Sequence, residues 1–190
     1  MAKVVNFIAF QAGWWGCVLG AAAGEGWIGP SLVGAAVAVH LATTDRRRGA
    51  LALMLFSGFL GLLLDGLLAA NDLLRFPADE GPWVGPLPLW MVALWVNIAP
   101  TLGSSLGWLR GRYVRGGLFG LLGGPTTYYA GTRLGALRFA PDTHESWLAL
   151  AVTWTLSMVL LLLATERCLP AADATATWGG SEAPGGAHAT

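Results

Sequence analysis

Apolar residues run along this chain in six blocks, near 4–24, 27–43, 49–70, 87–109, 116–137 and 147–165. Each is about 17–23 residues long, and about 20 residues of helix cross a hydrocarbon core. Polar positions inside the blocks are few. In the fourth, Asn97, Thr101 and Ser104 recur at spacings of four and three, which places them on one helical face. No stretch alternates polar and apolar residues as a membrane β-barrel strand does. The pattern predicts an all-α, polytopic transmembrane bundle of six helices within residues 1–168. Residues 169–190 are rich in Ala, Thr and Gly and have too little apolar area to order themselves, so they read as a disordered tail.

The distribution of Lys and Arg orients the bundle. The first, third and fifth inter-block segments would lie on one side, and the remaining segments with both termini on the other. The terminal side carries Lys3, Arg46, Arg47, Arg48, Arg110, Arg112, Arg115 and Arg167. The opposite side carries Arg75 and Arg138, and Arg133 falls inside a block. Eight against two is a strong positive-inside bias, and it places both termini in the cytoplasm. Trp27, Trp83, Trp90 and Trp147 fall near the outer boundary and Trp108 near the inner one, where an apolar ring with a polar N–H is at home. The expected location is the inner membrane, with multiple passes.

Composition agrees. Hydrophobic residues make up 55% and charged residues 12%, against roughly 25% charged in a soluble domain. The net charge is zero, so nothing points to nucleic acid. Two distant cysteines, Cys17 and Cys168, make neither a disulfide framework nor a metal site, and no metal or cofactor is expected. The first block contains Asn6, Gln11, Trp14 and Trp15, which suits a retained helix better than a signal peptide.

Helix association in lipid favours close backbone approach. Gly16, Gly20 and Gly24 follow one another at four-residue spacing in the first block, Gly58 and Gly61 mark the third, and Gly120 and Gly124 belong to a longer stripe in the fifth that includes Tyr128. These are the expected packing faces. Pro100 and Pro125 lie inside the fourth and fifth blocks, so kinks are expected near Val96 and Leu121.

Polar groups at membrane depth need a reason. Asp65 falls on the stripe of Gly58 and Gly61, and Arg133 shares a face with Thr126 and Tyr129. A charge there costs about 2.5–3.5 kcal/mol on insertion scales, and an Asp65–Arg133 ion pair is the expected relief. Asn97 and Gln11 are expected to pair between helices. With His40 near the cytoplasmic end of the second block, these residues make the candidate intramembrane polar site. Ser104 and Ser105 approach the side of His40, but no acid is evident at that depth to orient a base, which argues against a serine hydrolase. No catalytic residue is assigned.

The opening Asn6, Phe10-Gln11, Gly13-Trp14 and Cys17-Val18-Leu19-Gly20 resembles a bacterial membrane-protein family catalogued as domain of unknown function 2878. His40, the Gly61 to Asp65 segment, Pro88, Trp90, Trp95, Leu106 to Trp108 and the run from Gly124-Pro125 through Tyr128 and Gly131 to Arg133-Leu134-Gly135 resemble it too, so the likeness covers roughly 1–165. The resemblance implies no activity. It implies a setting near envelope fatty-acid and lipid modification, with membrane lipids and lipid-modifying enzymes as partners. The leading expectation is a non-enzymatic lipid-binding or accessory component. A small secondary transporter comes second and a membrane-embedded enzyme third. For the topology, a reporter fused after Thr190 is expected to be active only in its cytoplasmic form, and periplasmic activity would break the six-helix reading.

Overall fold

The computed structural model describes residues 2–77, 81–139 and 143–170. Six α-helices lie among them: α1 (Ala2–Ala22), α2 (Ile28–Thr43), α3 (Arg47–Ala70), α4 (Leu89–Leu102), α5 (Tyr113–Leu134) and α6 (Thr143–Cys168). Most of the expected tail, residues 171–190, lies outside the described residues, as does Asp79–Glu80 of the long connection. The helix pairs α1–α2, α3–α4 and α5–α6 run antiparallel, as the contacts of Gly16 with Leu32, Gly61 with Trp95 and Gly116 with Leu162 require, so one end of the bundle gathers the basic segments and the other Leu74–Arg75 and Arg138–Phe139.

Three helices, α1, α3 and α6, are long and apolar enough to cross a membrane. The surface supports membrane association. On α3, Leu55, Phe59, Leu63 and Leu67 are all exposed at four-residue spacing, while Gly58, Gly61 and Asp65 on other faces are buried. On α6, Leu148, Val152, Leu156 and Leu160 form a second exposed apolar row. Continuous apolar stripes of this kind belong against lipid or a partner, not water.

The fourth block was expected to be helical over 87–109, but regular helix stops at Leu102. Pro100 removes a backbone donor from the last turn. The chain then passes through turns to a single 3-10 turn at Gly107–Leu109. Fourteen residues reach roughly 21 Å. This short helix packs against α1, α2, α3 and α6, and its irregular continuation can satisfy its polar groups within protein. Nine of the fourteen residues of α4 are buried and none is exposed; the buried ones include Trp90, Met91, Trp95, Asn97 and Leu102. Pro125, by contrast, sits within α5 with nine further helical residues beyond it.

At the end away from the basic segments, α1, α3 and α5 close with the same hydrogen-bond pattern. Gly24 N–H donates to Ala21 and Glu25 N–H to Gly20; Asp72 donates to Ala69 and Leu73 to Leu68; Gly135 donates to Thr132 and Ala136 to Gly131. This is the Schellman cap, and Gly24, Asp72 and Gly135 all have positive φ. Gly24 therefore ends α1 and is not part of a packing face; a Cβ there would have nothing within 4 Å. The connections at this end are tied by short ladders. β1 (Leu74–Arg75) pairs antiparallel with β4 (Arg138–Phe139), and β2 (Trp83–Val84) with β3 (Leu87–Pro88).

The other glycines lie at helix contacts of different tightness. A Cβ at Gly120 would overlap the backbone carbonyl of Trp154, and at Gly124 or Gly61 the indoles of Trp154 or Trp95. At Gly58 it would meet Val96 at 3.0 Å, at Gly20 the carbonyl of Glu25 at 3.0 Å, and at Gly16 only the mobile end of Leu32 at 2.5 Å. Gly34 has open space around it. Gly120→Ala is expected to lower stability in detergent by about 1–3 kcal/mol, the usual cost of overpacking. Gly34→Ala should be neutral or stabilising by up to about 1 kcal/mol through helix propensity. Equal melting temperatures for the two variants would contradict the α5–α6 contact.

Candidate functional site: a buried carboxyl beneath an aromatic groove

Asp65 is fully buried. The glycines on its side of α3 bring that helix against α4, where Gly61 leaves the space that the Trp95 ring fills. Trp95 Nε1 then donates to Asp65 Oδ2 at 2.7 Å. Tyr128, from the glycine face of α5, donates its hydroxyl to the same oxygen. That hydroxyl also lies 3.8 Å from the sulfur of Met91. The other carboxyl oxygen, Oδ1, is buried without a hydrogen-bond partner. It is the position at which a proton or a further donor would be held.

A fourth helix joins through Trp154 of α6. Its ring stacks on Trp95 with centroids 4.7 Å apart and planes 19° from parallel. It also meets Tyr128 edge-on at 6.1 Å. Gly124 gives Trp154 its space as Gly61 gives Trp95 its own. The Trp154 Nε1 atom is buried without a hydrogen bond of good geometry. The layers run Gly61, Trp95, Trp154, Gly124, with Asp65 and Tyr128 along one edge.

The ion pair expected between Asp65 and Arg133 is not formed. Arg133 is exposed, and Asp65 takes its bonds from neutral donors. Thr126 and Tyr129 are exposed with Arg133; Thr126 donates to Leu122 within its own helix, and Tyr129 lies against Trp147. The reason is rotational. The glycine face of α5 is packed inward, so the Thr126–Tyr129–Arg133 face must point outward and Tyr128 must point in. Asn97 does not pair with the Gln11 amide either. Its Nδ2 donates to the carbonyl of Phe10 at 2.8 Å, and Gly13 leaves it room, since a Cβ there would meet Nδ2 at 2.6 Å. Gln11 is half-buried nearby. His40 is half-buried at the basic end, far along the bundle from Asp65.

Trp95, Tyr128 and Trp154 form part of the wall of a groove of about 170 Å³ between α1, α4, α5 and α6. Phe7, Phe10, Trp14, Met91 and Ile98 line it as well, and its few polar groups are hydroxyls such as Thr101, Ser105 and Thr127. Sequence reasoning did not single out Tyr128 as a partner of Asp65. The signal was present, because Tyr128 stands on the stripe of Gly120, Gly124 and Gly131.

A family model described as Protein of unknown function (DUF2878) matches residues 3–160. The chain belongs to the DUF2878 family. No curated protein and no solved structure matches it. In this DUF2878 protein, the segments that carried the resemblance, Gly61 to Asp65 and Gly124 to Gly135, supply two sides of the buried site.

A double-mutant cycle tests the site. Asp65→Asn with Tyr128→Phe should be non-additive by about 0.5–3 kcal/mol in detergent unfolding, because the two share a buried hydrogen bond. Asp65→Asn with Arg133→Leu should add within about 0.5 kcal/mol, as expected for groups with no shared partner. The reverse pattern would restore the ion pair and displace Tyr128.

Proposed function

We propose that this protein is a six-span inner-membrane protein with both termini in the cytoplasm, and that its aromatic groove holds an acyl chain. It would act as a lipid-binding or accessory component in envelope fatty-acid or lipid modification. The groove carries the reading. Its walls are aromatic and aliphatic, and Phe7 of α1 and Phe119 of α5, both exposed, line it from opposite helices. Those two helices touch only lightly, which favours sideways access from lipid. A cavity near 150 Å³ suffices for a benzene-sized apolar guest, so about 170 Å³ suits a segment of chain and not a whole phospholipid. The exposed rows on α3 and α6 and the eight basic residues at one end support the multi-pass topology.

The transporter reading would need a central cavity lined by Asn97, Asp65 or Arg133. Asp65 instead stands behind Trp95 and Tyr128, and Arg133 faces outward. Asn97 alone of the three lines a larger cavity, of about 440 Å³. The lipid reading is therefore the better supported.

Gly123 offers a clean test. It lines the groove, and a Cβ there would meet only the Phe119 ring, at 3.8 Å. Gly123→Phe should fill the groove while leaving the fold intact. A photoreactive fatty acid or phospholipid with its diazirine on the chain should label the wild-type groove helices, and Gly123→Phe should reduce labelling roughly tenfold, since displacing two or three methylenes is worth that much. Equal labelling of a folded Gly123→Phe variant, or labelling confined to the Leu55–Phe59 face, would mean bulk lipid contact only and would refute the reading.

A further inference from the structure

A second cavity, of about 270 Å³, lies at the basic end and shares no lining residue with the aromatic groove. Arg46 and Arg110 both line it, together with His40, Thr44 and Ser104. Its floor is apolar, made by residues such as Leu53, Met54 and Pro100, and no carboxylate lines it. We infer that this cavity is a binding site for a phosphate group, held by the guanidinium groups of Arg46 and Arg110 with the hydroxyls of Thr44 and Ser104 and the ring of His40.

The charge balance supports this. Each arginine has a hydrogen bond to a backbone carbonyl at the end of α6: Arg46 to Pro170, and Arg110 to Leu169 at 2.5 Å. Those acceptors are neutral and each takes up only part of a guanidinium, which has five donors to place; Glu166 offsets part of the charge on Arg110 without forming an ion pair with it, and among the described residues no carboxylate pairs with Arg46. The nearby carboxylate of Glu166 is already occupied. It accepts the Tyr113 hydroxyl at 2.6 Å and the Gly111 N–H at 2.8 Å. Among the described residues the ion pair formed is Arg75 with Asp72, at the opposite end. Two cations facing a common space, one of them half-buried, with hydroxyl donors and an imidazole beside them, match a tetrahedral oxyanion. The carbonyl contacts hold the forks in place before a ligand arrives. A metal cation is disfavoured by the same charges.

The phosphate could belong to a lipid headgroup or to a free anion, and the two sources separate experimentally. The full chain, purified in detergent, would be melted in sodium phosphate and in sodium chloride at matched ionic strength, and separately with short-chain phosphatidylglycerol and an uncharged glyceride of the same chain length. Stabilisation by phosphatidylglycerol over the glyceride assigns a headgroup; stabilisation by inorganic phosphate over chloride assigns a free anion. Arg110→Gln should weaken the effective ligand roughly tenfold or more, the worth of one charge-assisted hydrogen bond. Because Arg110 also caps α6, His40→Leu is the second variant, with the wild-type carbonyl contacts untouched, and it should weaken binding several-fold. Arg75→Gln, at the other end, should bind like wild type. The proposal is overturned if neither phosphate nor phosphatidylglycerol stabilises the protein beyond its control, or if the shift is the same in Arg110→Gln and His40→Leu as in wild type. Neither result bears on the aromatic groove.

Discussion

A carboxyl group removed from water must find donors inside the protein, and at Asp65 two arrive from two other helices. Trp95 and Tyr128 converge on one oxygen, and Trp154 stacks on Trp95 from a third neighbour. Four helices, α3 to α6, therefore meet at one residue. Hydrogen bonds to a charged group contribute about 1.5–3 kcal/mol each, and a stacked aromatic pair adds about 0.5–1.5 kcal/mol beyond its area. Donors of this kind are useful only if the rings can approach, and that makes the glycines part of the same arrangement. Gly61 and Gly124 take the outer faces of the two indoles, so the small residues of α3 and α5 and the large ones of α4 and α6 are complementary.

The same packing explains how a short central helix is accommodated. α4 is surrounded by α1, α2, α3 and α6, and two hydrogen bonds tie it to its neighbours. Asn97 reaches the backbone of α1, and the Trp95 carbonyl accepts the Ser57 hydroxyl of α3 at 2.5 Å. Each bond crosses a helix boundary, so each sets rotation and depth as well as adding stability. At the far end three Schellman caps finish the helices, with the Asn71 side chain also donating to Leu67 in α3, and the β1–β4 ladder ties the long connection to the one before α6.

Two of the spaces in this frame differ sharply in chemistry. The groove beside Trp95 and Trp154 is apolar and flanked by helices in light contact. The space between Arg46 and Arg110 is cationic and closed on one side by the end of α6. A molecule with a hydrocarbon chain suits the first and a phosphate group the second.

Six helices, the limits of all but α4 to within a few residues and the gathering of Arg at one end were legible from apolar block lengths and charge, because those properties are local and additive along the chain. Three blocks meet the length and hydropathy of a span on their own, and α2 and α4 are apolar but shorter. The importance of Asp65 was also legible, because an acid on a glycine stripe is conspicuous. Its partner was not. Arg133 offered the opposite charge, but the rotation of α5 is decided by Gly116, Gly117, Gly120 and Gly124 packing on α6, and that turns Tyr128 inward and Arg133 out. Gly24 reads in sequence as a continuation of Gly16 and Gly20, and only the folded chain makes it a cap with positive φ. Sequence spacing specifies which residues share a helix face. Which face is buried, and against what, is a property of the packed bundle, since it depends on how several helices fit together at once.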